Sequence, residues 1–440
     1  MSLFTCFAPC PRGLEEYLAH ELATLGLHSP NSVPGGVKFQ ADWAGIMRAN
    51  LWSRLATRIL LQIKHGSYRN EQDIYDLTQQ IDWLHWYDVN STLRVDVTGI
   101  RCPLKSLDFA TLRIKDAICD HYREACGERP TVNTADPDIR VHAFLNEAYC
   151  TLYLDTSGEP LFKRGWRQDK GNAPIKENLA AGLLQIAGWT PAQALLDPFC
   201  GSGTILVEAL LLGLNIAPGL ARTFGFQAML PCPLDVWQQE KQAARAARQL
   251  QPLQIHGSDI EAEVIYKARR NIQRVGVLYD LPEEFTLPAV TVSNATERSP
   301  VAASGMIITN PPYGERMVAH NQQQSWEDRQ AQRQAQSEDK RRQAPRQQTV
   351  STPDPQQVRD EAAITAVFSD WAHNLKRHYA GWSAYTISGD LQLPKKMRLK
   401  ESQRTPIFNG ALECRFFRFE MVAGSARKPK HPALNTHESD

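Results

Sequence analysis

Three short stretches hold residue types whose spacing could do chemistry. "LLDPFCGSGT" (Leu195–Thr204) ends an apolar run in an acidic residue, Asp197, followed by a Gly-x-Gly turn. Gly201 and Gly203 allow backbone to approach a ligand closely, because no Cβ restricts φ there. No third glycine completes a dinucleotide fingerprint and no lysine follows, so this is neither that motif nor a P-loop. "GSDIEAE" ends a second apolar run in Asp259. That carboxylate suits both hydroxyls of a ribose, and it equally suits the cap of a helix over Glu261–Asn271. The third stretch, "TNPPYGER" (Thr309–Arg316), follows the apolar residues Gly305–Ile308. Adjacent prolines fix φ and remove backbone donors, so a central strand cannot continue through them. They leave either a strand-terminating turn or a rigid projection presenting Asn310, the backbone carbonyls and the Tyr313 ring.

Elements must hold these stretches in place. From about residue 172 apolar strands alternate with helices: "KENLAAGLLQIAGW" as helix, the first motif as strand and turn, "ILVEALLLGL" as helix, then "QIHGSDI", "VTVSNAT" and "GMIITNPPYG" as strands. Such alternation predicts a doubly wound, mostly parallel sheet with ligands at the carboxyl ends of its strands. Asp259 lies farther from the glycines than the ~20 residues usual in dinucleotide folds, so "APGLARTFGFQAMLPCPLDVWQQEKQ" reads as an insertion. Residues 1–65 read as a small α+β unit, with a strand at "GGVKFQA" and a helix containing "IMRANLWSRLATRILL". Residues 66–156 read as a second α+β unit with strands "TLRVDVTG", "IRVHAFL" and "YCTLYLDTS", helix "ATLRIKDAICDHYREACG", and an antiparallel sheet. Residues 157–171 are a linker and 172–423 the motif-bearing domain. Within it, His320–Asp360 has twelve glutamines in 41 residues and almost no large apolar side chains. It is expected to be a mobile insertion, and 424–440 a disordered tail.

Composition narrows the class. The chain has 440 residues, is 42% hydrophobic and carries net charge +1. That suits globular domains and argues against a passive nucleic-acid binder relying on bulk charge. Nine scattered cysteines read as reduced thiols. Cys6 and Cys10 lack a second half of a metal site, so no metal is expected. No apolar run approaches the ~20 residues of a membrane helix, and Pro9, Pro11 and Arg12 interrupt the amino-terminal apolar residues. A cytoplasmic protein is expected.

Taken together, the acidic residue with Gly-x-Gly, the second acidic strand end and Asn-Pro-Pro-Tyr resemble a class I S-adenosyl-L-methionine-dependent methyltransferase acting on a planar nitrogen. "RGWR" (Arg164–Arg167), "APIKENLAAGLL", "LLDPFCGSGTILVEAL", "APGL", "NPPYGER" and "FNGALECR" (Phe408–Arg415) occur in that order. This pattern is similar to the THUMP-domain guanine-N2 methyltransferases of ribosomal RNA, specifically the ribosomal RNA large subunit methyltransferase L family. "CPRGLEEYLAHEL" and "LWSRLATRILL" match its ferredoxin-like amino-terminal region, and 66–156 falls where its THUMP RNA-binding domain lies. The resemblance implies a Rossmann-like fold and methylation of a guanine N2 in 23S rRNA or a large-subunit assembly intermediate, without an obligate protein partner. It implies Asn310, Pro311, Pro312 and Tyr313 as catalytic residues. Asp197, Pro198, Gly201, Ser202, Gly203, Thr204, Asp259 and Asn294 would bind S-adenosyl-L-methionine. Asn294 stands where the family commonly has Asp. Some relatives carry a second methyltransferase module downstream, which this chain is expected to lack. A tRNA guanine-N2 methyltransferase, a DNA adenine methyltransferase and a non-catalytic ribosome-assembly factor are the competing readings. Arg101, Lys105, Arg113 and Lys115, and the basic stretch Asp390–Lys430, are candidate RNA contacts.

Overall fold

The computed structural model describes residues 3–168, 175–312 and 355–422, with side chains from 364 onward in the last stretch. Tyr313, most of the 320–360 insertion and the 424–440 tail lie outside the described residues. The first stretch holds β1 (Phe4–Pro9), α1 (Glu15–Thr24), β2 (His28–Val33), β3 (Gly36–Ala41), α2 (Trp43–Trp52) and β4 (Leu60–Ser67). It continues with α3 (Glu71–Gln79), α4 (Trp83–Trp86), β5 (Leu93–Gly99), α5 (Leu107–Cys126), β6 (Ile139–Leu145) and β7 (Tyr149–Asp155). These strands form one seven-stranded sheet in the order β2-β3-β1-β4-β7-β6-β5.

α5 shows how local sequence sets an element. The Ser106 hydroxyl accepts from Phe109 N–H at 3.2 Å and caps its start. Ala110, Ile114, Ala117, Ile118 and Tyr122 face the core at helical spacing, and Gly127 ends the helix at φ +79°. This helix also corrects an expectation. β5 and β6 pair parallel, not antiparallel, because a helix-length crossover returns the chain to the same sheet end. The helix expected through "LWSRLATRILL" ends at Trp52, and Leu60–Leu61 begin β4 instead. Ser53 is in extended conformation at the helix end. β-branched Thr57 and Ile59 precede the strand, where such side chains are favoured. The boundary between residues 65 and 66 therefore falls inside β4, and the two amino-terminal units share a sheet.

The remaining elements are α6 (Glu177–Ala187), β8 (Ala194–Asp197), α7 (Thr204–Gly213), α8 (Leu234–Ala246), β9 (Ile255–Asp259), α9 (Ala262–Leu278), β10 (Ala289–Val292) and β11 (Gly305–Thr309). Then come α10 (Pro355–His378), β12 (Trp382–Ser388), α11 (Leu393–Met397), β13 (Gln403–Asn409) and β14 (Leu412–Glu420). The second sheet runs β10-β9-β8-β11-β12-β14-β13. β8 pairs parallel with both β9 and β11, whereas β14 is antiparallel to β12 and β13. The doubly wound expectation holds. β9 and β10 run outward from β8 on one side and β12 from β11 on the other, with β14 inserted before β13, so the sheet's switch point lies between the two buried strands β8 and β11. Residues 355–360, expected within the mobile insertion, open α10. That helix buries Ile364, Phe368, Trp371, Ala372 and Leu375 at helical spacing.

The two halves are not joined by a free linker. In 157–168, Ser157, Leu161, Arg164 and Trp166 are buried. Arg164 donates to the Arg54 carbonyl and pairs with Glu208 at 3.4 Å, all three side chains being buried. The stretch after α7, read as an insertion, docks on the amino-terminal half. Gly219 N–H donates to Leu51 O, Phe226 N–H to Thr156 O and Leu230 N–H to Trp86 O. Leu14, Leu51, Leu183 and Leu211 belong to one core. At Gly182 of α6 the approach is so close that a Cβ would lie 2.5 Å from Leu14 Cδ1.

Candidate active site

The switch point brings the three motif stretches to one end of the sheet. β8 delivers Asp197, β9 delivers Asp259 and β11 delivers Asn310. Thr309 Oγ1 donates to Asp197 Oδ1 at 2.6 Å, so one hydrogen bond ties the first motif to the third across the switch. Phe199 N–H donates to the same oxygen at 3.1 Å. Burial, reinforced by the nearby Asp259 charge, outweighs these donors and pushes the Asp197 carboxyl up to about 7. Asp197 thus sits beneath the turn, where its bonds serve the scaffold.

The turn itself follows from its glycines. Gly201 has φ +53° and Gly203 +85°, conformations costly for side-chain-bearing residues. A Cβ added at Gly201 would meet nothing within 4 Å, so open space lies before it, whereas Pro198, Ser202, Gly203 and Thr204 are buried. Gly201 N–H donates to Asp259 Oδ2 at 3.1 Å, and Glu261 N–H donates to Asp259 Oδ1 at 3.2 Å. Asp259 therefore braces the turn and the approach to α9 together. Each carboxylate oxygen retains acceptor capacity beyond these bonds, and the residue is half-exposed at the strand's carboxyl end. Burial raises the Cys200 thiol well above its ordinary pKa, so the cysteine fills space instead of supplying a thiolate.

Asn294 lies just past β10. Its Oδ1 accepts from Thr296 N–H at 3.1 Å, closing a turn, and one lone pair is left for another donor. Beyond β11, Pro311 is buried and Asn310 half-buried. Asn310 Oδ1 is fully buried and, among the described residues, has no hydrogen-bond partner. An acceptor left so costs about 1–3 kcal/mol.

Several further residues at this site have no role assigned to them by the sequence. Asn271 Nδ2 donates to Ser202 O at 3.1 Å. Arg167 reaches Thr204 Oγ1 at 2.7 Å, Ser202 Oγ at 3.3 Å and Glu177 Oε1 at 2.8 Å. Ile260 and Val292 present exposed apolar side chains at the ends of β9 and β10, suited to the face of a planar ring. Their only sequence signal is an apolar residue after or within each strand end. The cleft lined by Gln193, Gly305, Gly381 and Ser383 opens at the opposite, amino end of the strands and touches none of these groups. Among the described residues no cluster of His, Cys, Asp or Glu could hold a metal ion, and no helix is long and apolar enough to cross a membrane.

The candidate RNA contacts are partly occupied. Arg113 donates to Gln72 Oε1 and lies over the Tyr75 ring, Lys115 pairs with Asp116, and Arg101 pairs with Glu147 on the surface. Lys105 is exposed; in the carboxyl-terminal basic stretch Lys396, Arg404, Arg415 and Arg418 pair with Asp390, Glu401, Glu413 and Glu420, whereas Lys395, Arg398 and Lys400 are exposed.

Comparison with known proteins agrees with this architecture. Residues 5–60 match the RlmL ferredoxin-like domain, 68–155 the THUMP domain and 164–344 the RMKL-like methyltransferase domain. Ribosomal RNA large subunit methyltransferase K/L of Shewanella baltica (strain OS185) is 34% identical over 428 residues, 96% of this chain and 54% of the relative. The same-named protein of Shewanella amazonensis is 33% identical over 432 residues, 97% of this chain and 54% of its own. The chain thus spans about half the length of the curated relatives it matches. Among solved structures, one titled a predicted N6-adenine-specific DNA methylase, from Listeria monocytogenes, aligns with TM-score 0.76 and 26% identity over 95% of this chain and 96% of that one. One titled a putative methyltransferase complexed with SAH aligns with TM-score 0.77 and 23% identity over 97% of this chain and all of the other.

Proposed function

We propose, for a chain that joins an RlmL ferredoxin-like domain and a THUMP domain to an RMKL-like methyltransferase domain, S-adenosyl-L-methionine-dependent methylation of the exocyclic N2 of a guanine in large-subunit (23S) ribosomal RNA. The observation that carries this reading is Asn310 Oδ1, at the end of β11 a buried acceptor without a partner among the described residues. Guanine N2 is a poor nucleophile because its lone pair is delocalised into the ring. Asn310 Oδ1 and the Pro311 carbonyl would accept its two hydrogens and favour a lone pair directed at the methyl group. Tyr313, outside the described residues, would stack on the base. The nitrogen–carbon bond would form as the methyl–sulfur bond breaks, S-adenosyl-L-homocysteine would leave and the surplus N2 proton would pass to solvent, so this is positioning and electrostatic preorganisation with no dedicated general base.

The residues of the turn fit the proposed methyl donor, which supplies an electrophilic sulfonium methyl when bound. Open space before Gly201 admits a ligand against backbone. Asp259 would accept from the ribose hydroxyls, Asn294 would meet the adenine amino group, and Ile260 would cover the ring. A paired guanine must leave its stack to reach Asn310. Single-stranded or unfolded rRNA, free or in an assembly intermediate in the cytoplasm, is therefore the proposed substrate. The amino-terminal half would supply RNA affinity. Mass-spectrometric mapping of modified guanines in rRNA from cells with and without the protein tests the reading. Loss of one N2-methylguanine from 23S rRNA is expected. An unchanged 23S pattern, or a loss confined to tRNA, would overturn it.

A further inference from the structure

Two glycines make the cofactor turn permissive, so its shape must be imposed by neighbours. Asp259 holds Gly201 N–H and Asn271 holds Ser202 O. The third brace comes from the segment that precedes α6. The Arg167 guanidinium, only 10% exposed, donates to Ser202 Oγ and Thr204 Oγ1, the two hydroxyls flanking Gly203. It also donates to Ile175 O at 3.2 Å, pairs with buried Glu177 of α6 and lies 4.9 Å from the centroid of the fully buried Trp166 ring. Three residues earlier, Arg164 pairs with Glu208 and donates to Arg54 O in the amino-terminal half. Thr204 and Glu208 are four residues apart on α7 and so share one face. The short segment Arg164–Arg167 therefore grips two successive turns of the helix that the glycine turn opens.

We infer that Arg167 is a positioning residue for S-adenosyl-L-methionine binding. It fixes the Ser202–Thr204 backbone in its ligand-accepting form and registers that turn against the amino-terminal half through the Arg164–Arg167 segment. The inference rests on reading the turn as the methyl-donor site. Packing alone would need only one neutral contact. A planar fork spanning both hydroxyls, with its charge balanced by Glu177, sets their separation.

Isothermal titration of the whole chain with S-adenosyl-L-methionine tests it, using Arg167→Gln, Arg167→Lys and the charge-balanced pair Arg167→Gln/Glu177→Gln. The paired variant leaves no lone buried carboxylate and serves if the single variant fails to fold. Arg167→Gln and the pair are expected to lose tenfold or more in affinity. Arg167→Lys, which keeps the charge but cannot span both hydroxyls, should fall between them and the wild type. The rate at saturating donor should change less than threefold, because Asn310 and Pro311 are untouched. Affinity within twofold of wild type in the folded variants would overturn the inference while leaving the site reading intact. So would a rate loss at saturating donor as large as the affinity loss. Absence of binding by the wild-type chain would instead overturn the site reading on which the inference stands.

Discussion

The glycine turn and the Asn-Pro-Pro stretch stand at neighbouring strand ends, yet they solve opposite problems. In the turn, Gly201 N–H, Ser202 O and the hydroxyls of Ser202 and Thr204 are all bonded within the protein. At the end of β11, Asn310 Oδ1 is buried and, among the described residues, bonded to nothing. The flexible element is braced, whereas the element made rigid by prolines keeps an open valence. A binding loop built from glycine needs external contacts to hold one shape. A proline-fixed acceptor can remain unsatisfied because the backbone cannot relax to satisfy it. The first should govern donor affinity and the second the chemical step.

The strongest break is Asn310→Ala. The methyl-transfer rate should fall about a hundredfold or more, since one preorganised acceptor in such a site is worth roughly 3 kcal/mol. Donor affinity by calorimetry should stay within a few-fold. The melting temperature of the free protein should hold or rise, because the substitution removes a buried acceptor without a partner. Equal losses of affinity and rate would mean that the residue only shapes the fold.

Asp259→Ala should do the reverse. It deprives Gly201 N–H of its acceptor and removes the proposed ribose contact. Donor affinity should drop about tenfold to a hundredfold, at about 1.5–3 kcal/mol for hydrogen bonds to a charged group. Asp259→Asn, which keeps one oxygen, should recover part of this. Unchanged affinity in both variants would leave Asp259 as a support for the approach to α9 alone.

A smaller effect is expected from Asn271→Leu. It withdraws a donor from Ser202 O while keeping the helix face apolar. Donor affinity should weaken several-fold, about 1 kcal/mol for a neutral hydrogen bond, with the rate at saturation unchanged. A change in that rate and none in affinity would erase the division between the two regions.

What could be read from the sequence follows the same division. Asp197, Gly201, Gly203, Asp259 and Asn310 declare themselves through local features: an acidic residue ending an apolar run, glycines in series, prolines after a strand. Asn271 does not, and although Arg167 and Glu177 stand in the quoted stretches "RGWR" and "APIKENLAAGLL", nothing local ties them to the turn, because Arg167 meets Thr204 37 residues away and Asn271 meets Ser202 69 residues away. Neither spacing has a periodic trace. The doubly wound sheet was legible because the apolar strands β8 and β9 are each followed by a helix-length apolar pattern. β4 was hidden because Leu60 and Leu61 continue the apolar run that begins in α2. The segment 157–168 resembled a linker since its buried arginines look like surface residues. Only the carbonyls and Glu208 that meet Arg164 explain its burial.

Asp197 offers the finest test, because it touches both regions: it accepts from Thr309 beside the acceptor stretch and from Phe199 at the turn. Its folded-state pKa of about 7 stands above the ~3.9 of an unfolded chain. The folded protein therefore holds this proton more tightly. The resulting stability is fully present below about pH 4 and is lost as pH rises through about 7. Asp197→Asn keeps the Oδ1 acceptor for both donors and cannot ionise. Its melting temperature relative to wild type should therefore climb by a few degrees between pH 5 and pH 8. Parallel melting curves for wild type and Asp197→Asn across that range would mean that the carboxyl ionises alike in folded and unfolded chains. The Thr309 bond would then join turn and acceptor stretch without a titrating group between them.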